Sequence, residues 1–251
     1  MLLLILTKKM ESRVSQVIQI NSEKGRRYQT PDGVFPSVTT ILSATKSERD
    51  KKALDDWRNK VGPEEADRIS KQSTTDGTLM HSCFEGLSAF DHRMLSLRDA
   101  YELIDKDETG ANKERIKGFV NQWHEHIREK LGATYFLEEY GWNPKHGYAG
   151  AIDHIGEFEG IPSVVDWKNS TKAKKDEWIH DYKLQGAAYI GMCYRCPVFA
   201  EVPPVKQFVC VVFNDETSEP QIFRYVLQDI LRTYWPQWEA RVKLWHSKNK
   251  V

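Results

Sequence analysis

Asp153, Asp166 and Lys168 are the residues of this sequence whose types and spacing could do chemistry. Carboxylates are hard oxygen ligands of the kind that Mg²⁺ and Mn²⁺ prefer in proteins. A lysine ammonium is a compact positive charge that can stabilise negative charge as it develops on a reacting group. Two acidic ligands and one cation on a single surface therefore predict a metal-dependent hydrolase.

The sequence around these residues predicts a β-hairpin that brings them together. Residues 147–157 and 161–168 are rich in the aromatic and β-branched residues that favour strands. Between them, Glu159-Gly160 provides a two-residue turn with glycine where a tight hairpin can need a positive φ. With this turn, Asp153 stands opposite Asp166 at a Cβ separation of about 4.5–5.5 Å. The lysine two residues further along points to the same face, because side chains alternate along a strand.

The two carboxylates would repel each other at this distance, and one of them would tend to take up a proton. A divalent cation between them removes the conflict. The alternative is that Asp-x-Lys lies by chance on a solvated strand edge. The apolar run from Ile161 to Val165 favours the functional interpretation, because a charge buried without a partner is costly.

These motifs resemble those of the PD-(D/E)xK nucleases, in which an acidic residue precedes Asp/Glu-x-Lys. Here Asp153 precedes Asp166-Trp167-Lys168. The RecB-like branch of the family adds an upstream helical histidine and a downstream Gln-x3-Tyr, which His81 and the pair Gln185 and Tyr189 match. Within that branch the chain resembles the mitochondrial genome maintenance exonucleases and their phage and bacterial relatives. The similar stretches follow the family's order: FPSVTTIL (35–42), the His81 helix, FLEEYGW (136–142), GYAGAIDHIGEFEGIPSVVDWKNS (147–170), LQGAAYIG (184–191) and YWPQWEARVKLW (234–245).

The resemblance implies a role for each matching residue of the hairpin. Asp153, Asp166 and the backbone carbonyl of Trp167 would be ligands of one or two Mg²⁺ or Mn²⁺ ions. His81 would be a further ligand, and a histidine makes Mn²⁺ more competitive. Lys168 would orient the attacking water and stabilise the charge of the transition state.

Three further residues receive roles from the resemblance. Glu138 lies where the family places an acidic residue on the first core strand, although the adjacent Glu139 is a competing candidate. Gln185 and Tyr189 share one face of a helix and would position the lysine strand or contact the DNA backbone. Without the resemblance, these two would form an ordinary polar helix face, and His81 would pair with the glutamate one helical turn later.

Composition favours a folded protein, and its charge is unevenly distributed along the chain. The chain has 251 residues, 40% hydrophobic and 11% aromatic, which is enough to bury a sizeable core. The 36 basic and 36 acidic residues give no net charge, which does not favour non-specific coating of duplex DNA. Positive charge is nevertheless concentrated just after the hairpin, at Lys172, Lys174 and Lys175, where a phosphate backbone would pass. Most of the eight tryptophans and ten tyrosines are expected in the core, and the remainder leave aromatic surface for stacking on the bases of a single strand.

The pattern of elements predicts an α/β fold, a restriction-endonuclease-like core with a small mixed β-sheet flanked by helices, plus an N-terminal helical portion. We expect a single nuclease domain over 1–251, in which 1–130 is mainly helical and covers the cleft while 131–251 forms the core. Helices are expected at 38–44 with Ser37 as cap, at 47–60, from Pro63, from Asp76-Gly77 to 89, and at 96–105, 111–130, 178–194 and 227–247. Strands are expected at 133–141, 147–158, 161–168, 205–213 and 220–226, with short strands or irregular chain over 1–30 and a turn at Pro31-Asp32-Gly33.

The four cysteines faintly resemble the iron–sulfur staple of some RecB-like nucleases. Cys193 and Cys196 form a C-x2-C pair, with Cys210 downstream and Cys83 upstream. The interval from Cys196 to Cys210 is too long for that staple, so we expect free thiols in a reducing compartment rather than a cluster. The opening MLLLIL is too short for a membrane helix or a signal peptide, and no Arg/Ser-rich transit segment is visible. We expect a soluble intracellular protein, in a bacterial or phage-infected cytoplasm.

Together these features predict a Mg²⁺- or Mn²⁺-dependent DNA exonuclease of replication, recombination or repair, with DNA and replication or recombination proteins as partners. Its preference for the free ends of single-stranded DNA comes from the resemblance alone. A structure-specific or restriction-type endonuclease of the same fold is one alternative. A non-catalytic DNA-binding factor is another, and the intact Asp153, Asp166 and Lys168 weigh against it.

Overall fold

Three short strands open the described part of the chain. The structure is a computed structural model, and it describes residues 17–22, 25–91 and 93–249. Short strands are confirmed within 18–30, and the turn predicted at Pro31-Asp32-Gly33 joins the second strand to the third. Residues 1–16, which include the MLLLIL segment, lie outside the described residues. The antiparallel sheet comprises β1 (Ile18–Ser22), β2 (Gly25–Thr30) and β3 (Gly33–Pro36).

Five helices follow, where the N-terminal half of the sequence predicts six. Ser37 caps the first of them, its side chain accepting a hydrogen bond from the Thr40 N–H. Pro63 begins the third, where its missing N–H has no partner to lose. The helices are α1 (Val38–Ala44), α2 (Glu48–Val61), α3 (Pro63–Ser88), α4 (Leu97–Asp105) and α5 (Lys113–His126).

Helix α3 is continuous, so the prediction that Asp76-Gly77 begins a separate helix is wrong. Asp76 is buried and does not cap a helix. Its carboxylate accepts hydrogen bonds from the Asn112 N–H and from Arg115 Nη1, each at 2.8 Å. These contacts tie α3 to α5, and tertiary pairing therefore overrides the local preference of Asp-Gly for a helix boundary.

A five-stranded mixed sheet forms the core of the protein. Its strands lie in the order β4-β5-β6-β7-β8, and all neighbours are antiparallel except the parallel pair β6 and β7. This sheet, flanked by helices, confirms the predicted α/β class and fits a restriction-endonuclease-like core. The strands are β4 (Leu131–Asn143), β5 (Tyr148–Phe158), β6 (Ile161–Ser170), β7 (Gln207–Asn214) and β8 (Gln221–Val226).

Two further helices complete the layers on either side of the sheet. Helix α6 (His180–Cys193) makes the crossover that the parallel pair requires. Helix α7 (Trp235–Asn249) ends the described chain and follows a helical segment, Leu227–Tyr234, that includes a π turn. One face of the sheet packs against α1, α6 and α7, and the other packs against α3, α4 and α5. Among the described residues, no helix is both long enough and apolar enough to cross a membrane.

The β5–β6 hairpin has the predicted turn and register. Glu159 and Gly160 both have positive φ, 52° and 77°, as a type I′ turn requires. Phe158 pairs with Ile161, and the ladder continues to His154 opposite Val165. The next position along would pair Asp153 with Asp166, as the sequence predicts.

The cysteines lie in different parts of the fold. Cys83 packs with the helices on one face of the sheet, whereas Cys210 belongs to the hydrophobic cluster on the other face. Cys193 and Cys196 lie near the end of α6. All four are free thiols, and the sheet separates Cys83 from Cys210.

Candidate active site

Three carboxylates on adjacent strands form the centre of the site. The ladder between β4 and β5 places Glu138 beside Asp153, and the hairpin register places Asp166 on the other side of Asp153. Asp153 is 7% exposed and Asp166 is completely buried. Burial raises the pKa of Asp153, and the charge of Glu138 raises it further. A row of acids this close and this buried needs positive charge to stabilise it.

Glu138 has a backbone conformation that is rare for a residue other than glycine. Its φ is 46°, in the left-handed region, although it lies inside strand β4. Its carboxylate contacts the site, whereas Glu139 Oε1 accepts a hydrogen bond from the N–H of Tyr140. The structure therefore brings the first of the two competing glutamates to the site. Strain of this kind persists where surrounding contacts enforce it, which is common at functional sites.

His81 reaches these carboxylates from helix α3. Its Nδ1 lies 2.9 Å from Glu138 Oε1 and 3.7 Å from Asp153 Oδ1, and its Nε2 lies 3.1 Å from the carbonyl oxygen of Trp167. Burial alone lowers the pKa of His81, but Asp153 and Glu138 outweigh burial and raise it to about 9. A protonated His81 thus supplies positive charge to the acidic row. The simpler expectation, pairing with Glu85 one turn later, is not what the contacts show.

Lys168 supplies the second positive charge. Its Nζ lies 2.5 Å from Asp166 Oδ2. Burial lowers the pKa of Lys168, but Asp166 and Asp153 together raise it above its ordinary value. Burial also raises the pKa of Asp166, to about 6, although the lysine opposes that shift. Apart from this ion pair, neither oxygen of Asp166 has a hydrogen-bond partner within the described residues.

These side chains fit a divalent cation. The ligand atoms of His81, Glu138 and Asp153 all lie within 4.8 Å of one another. Asp166 contributes a buried oxygen that makes no hydrogen bond, and an atom of this kind lacks the partner that buried polar groups normally have. The Trp167 carbonyl, also predicted as a ligand, is in contact with His81. One imidazole, several carboxylate oxygens and a carbonyl are a donor set suited to Mg²⁺ or Mn²⁺.

A cleft of about 500 Å³ opens over this centre, and both predicted residues of α6 line it. Gln185 Nε2 donates a 2.6 Å hydrogen bond to the hydroxyl of Tyr189, and both side chains are buried. Burial raises the pKa of Tyr189, so its hydroxyl stays protonated and able to donate. The cleft is also lined by residues of α3, by residues of β2 such as Arg26, and by residues at the start of α1 such as Thr39.

Two residues near the site could not be identified from the sequence. Arg26 lines the cleft, and its Nη2 lies 3.4 Å from Thr39 Oγ1. The ring of Tyr182 has its centroid 5.4 Å from Lys168 Nζ, which allows a cation–π contact. Both reach the site through tertiary folding, and neither belongs to a motif with characteristic spacing.

The three lysines predicted to bind DNA lie on the segment that follows β6. Lys172, Lys174 and Lys175 are not among the residues that line the cleft. Lys175 Nζ lies 5.1 Å from the ring centroid of Trp178. Their predicted contact with DNA stays a prediction.

The fold and the site together define an α/β protein with a buried cluster of carboxylates, a histidine and a lysine at the edge of a cleft, an arrangement compatible with a nuclease. Proteins of known sequence support that class. The chain is 22% identical over 222 residues to mitochondrial genome maintenance exonuclease 1 of Homo sapiens, covering 86% of this chain and 60% of the relative. The Mus musculus protein of the same name is 23% identical over 218 residues, with coverage of 86% and 60%. That of Xenopus tropicalis is 24% identical over 232 residues, covering 89% of this chain and 61% of the relative.

These relatives confirm the resemblance that the motifs predict, and they are consistent with a PD-(D/E)xK nuclease-like family. The chain spans about 60% of the length of the curated relatives that it matches. No protein-family model matches the chain.

Solved structures give weaker matches. The alkaline exonuclease LHK-Exo of Laribacter hongkongensis is 11% identical and aligns over 70% of this chain and 97% of its own, with a TM-score of 0.26. Its complex with dAMP is 14% identical, with coverage of 68% and 92% and a TM-score of 0.23. TM-scores this low support no conclusion about this chain.

Proposed function

We propose that this chain is a metal-dependent DNA exonuclease that hydrolyses phosphodiester bonds from the ends of single-stranded DNA, in DNA replication, recombination or repair. The observation that carries the proposal is the row formed by Glu138, Asp153 and Asp166 on three adjacent strands, flanked by His81 and Lys168. A binding module has no need for crowded, buried acids. The names of the curated relatives, which are exonucleases, support hydrolysis from an end.

His81, Glu138, Asp153 and Asp166 would hold Mg²⁺ or Mn²⁺, with the Trp167 carbonyl as a further ligand. Such an ion would supply an activated water and would neutralise the phosphate oxygens. His81 must lose its proton before it can bind a metal ion. Glu138 and Asp153, which hold the protonated imidazole in this structure, would then share the cation.

Lys168 would act on the water and the phosphate. Its ammonium is fixed by the 2.5 Å contact with Asp166 and borders the cleft. From there it would orient the attacking water and stabilise negative charge on the phosphate in the transition state. Gln185 and Tyr189 would place hydrogen-bond donors along the same cleft for the phosphate backbone.

The remaining predictions concern the path of the DNA. Lys172, Lys174 and Lys175 would contact phosphates beyond the cleft. Helices α1–α5 would cover the cleft as the N-terminal part of a single nuclease domain. Replication or recombination proteins would be its partners.

The proposal is tested by a time course on labelled linear and circular single-stranded DNA of equal length. Each is incubated with Mg²⁺, Mn²⁺ or EDTA, with Asp153→Asn as a matched control that keeps side-chain shape. We expect loss of the linear strand only, dependent on metal and absent in the variant. Cutting of the circle would instead establish an endonuclease. DNA binding without cutting in either metal would favour a non-catalytic factor.

A further inference from the structure

Trp178 is an aromatic residue that the fold leaves largely in solvent. It lies on the segment 171–179 between β6 and α6, here called the post-hairpin segment, and it is 60% exposed. Tryptophan is usually well buried, because its large ring has much apolar surface to remove from water. An indole ring this exposed can bind a flat ligand by stacking.

The post-hairpin segment is anchored at two positions just before this tryptophan. The backbone of Lys174 exchanges hydrogen bonds with the side chain of Gln221, at 2.6 and 2.9 Å. Asp176 Oδ2 lies 2.5 Å from Nζ of Lys183, a buried lysine of α6. Trp178 therefore stands in solvent on a fixed support, which reduces the entropy lost when a ligand binds.

The anchored tryptophan follows the proposed catalytic lysine closely along the chain, and a series of turns connects the two. A hydrogen bond from the Trp178 N–H to the Lys175 carbonyl, at 2.9 Å, begins a series of tight turns that leads into α6. The next turn bonds the Tyr182 N–H to the Ile179 carbonyl at 3.0 Å. The ring of Tyr182 in turn contacts Lys168. Tyr182 thus links the turns that carry Trp178 to the proposed catalytic lysine.

One basic side chain contacts the exposed ring, and two more lie earlier on the same segment. Lys175 Nζ lies 5.1 Å from its centroid, and Lys172 and Lys174 precede it on the segment. Of the two acids next to it, Asp176 is paired with Lys183, and Glu177 is exposed. An exposed aromatic ring beside one lysine, on a segment that carries two more, combines the two features by which single strands are bound, base stacking and contact with phosphates.

We propose that Trp178 is a stacking platform for an unpaired base of the DNA strand at the active site, with the lysines of the post-hairpin segment on its phosphates. The inference rests on the proposed function and deepens it, because it places the preference for single strands in a particular side chain. The bases of a duplex are stacked on one another and offer no free face. Only a single strand or a frayed end can use this ring.

The test measures binding of labelled single-stranded oligonucleotides by fluorescence anisotropy, in EDTA so that the strand stays intact. Wild type is compared with Trp178→Ala, Trp178→Phe and the control Tyr194→Ala. Tyr194 is 47% exposed and follows the far end of α6, about 20 Å away at 1.5 Å per residue. A second oligonucleotide of equal length carries abasic sites throughout, so that it keeps the phosphates and lacks the bases.

We expect Trp178→Ala to raise the Kd for the normal strand by about 5- to 150-fold, the range of base–aromatic stacking. Trp178→Phe should retain most of the affinity, and Tyr194→Ala should bind like wild type. Neither Trp178 variant should alter binding of the abasic strand. Equal loss on both strands would overturn the stacking role, because the effect would not depend on bases, and so would an unchanged Kd on the normal strand. A wild-type protein that neither binds nor cuts DNA would refute the proposed function itself, and the stacking role with it.

Discussion

Replacing Glu138 by glycine is expected to leave the protein more stable than replacing it by alanine. Both changes remove the carboxylate and its hydrogen bond to His81, so their difference isolates the backbone. At a φ of 46°, an L-residue costs about 1–2 kcal/mol in the left-handed region, and glycine avoids that cost. The greater freedom of glycine in the unfolded chain offsets about 0.5–1 kcal/mol. Glycine should therefore be favoured by about 1 kcal/mol, or roughly 2–4 °C in Tm for a chain of this size.

The assay is thermal unfolding of both variants in EDTA, followed by circular dichroism. The matched control is the same pair of substitutions at Glu157, a strand residue of β5 without a positive φ. There alanine should be the more stable by about 0.5–1 kcal/mol. If Glu138→Ala is as stable as Glu138→Gly or more so, the backbone of Glu138 is not strained and the reasoning fails. Both Glu138 variants should also lose nuclease activity, because both remove the carboxylate that would bind the metal ion.

Three further outcomes follow from the structure. Mn²⁺ at about a hundred times its Kd should raise the unfolding free energy of the wild type by about 2.7 kcal/mol, as thermal unfolding would measure. An equal rise in the unfolding free energy of Asp153→Ala would contradict the assigned ligands. Asp76→Ala should cost about 1–3 kcal/mol of unfolding free energy, because the Asn112 N–H and Arg115 Nη1 would lose a buried acceptor while Arg115 keeps its ion pair with Asp215. Asp67→Ala, whose ion pair with Arg58 is exposed, should cost at most about 1 kcal/mol. A larger loss in Asp67→Ala than in Asp76→Ala would refute this account. Burial raises the pKa of Cys196 to about 11. At pH 8 iodoacetamide should therefore modify Cys196 far more slowly in native protein than in urea-unfolded protein, which mass spectrometry would measure. Rapid modification of the native thiol would contradict its burial.

The hairpin could be predicted from the sequence because its determinants are local. Turn chemistry at Glu159-Gly160 sets the register, and the period of two then places Asp153, Asp166 and Lys168 on one face. Helix caps such as Ser37 are local in the same way. These parts of the fold follow from residues that lie within a few positions of one another.

The rest of the site depends on contacts between distant segments. The choice of Glu138 over Glu139 follows from the backbone of β4, and no propensity predicts a positive φ for glutamate. The approach of His81 depends on the docking of α3 against the sheet. The helix boundary predicted at Asp76 was wrong because the hydrogen-bond partners of Asp76 lie at the start of α5, far along the chain.

The most direct test of the central claim is the rate at which Lys168→Ala cleaves a linear single strand under single-turnover conditions with saturating metal. The account predicts a loss of about a thousandfold, equivalent to roughly 4 kcal/mol of transition-state stabilisation. Lys243→Ala, at an exposed lysine of α7 that does not line the cleft, is the matched control and should cleave at close to the wild-type rate. A Lys168→Ala protein that cleaves within about tenfold of wild type would contradict the claim that this hairpin is the active site.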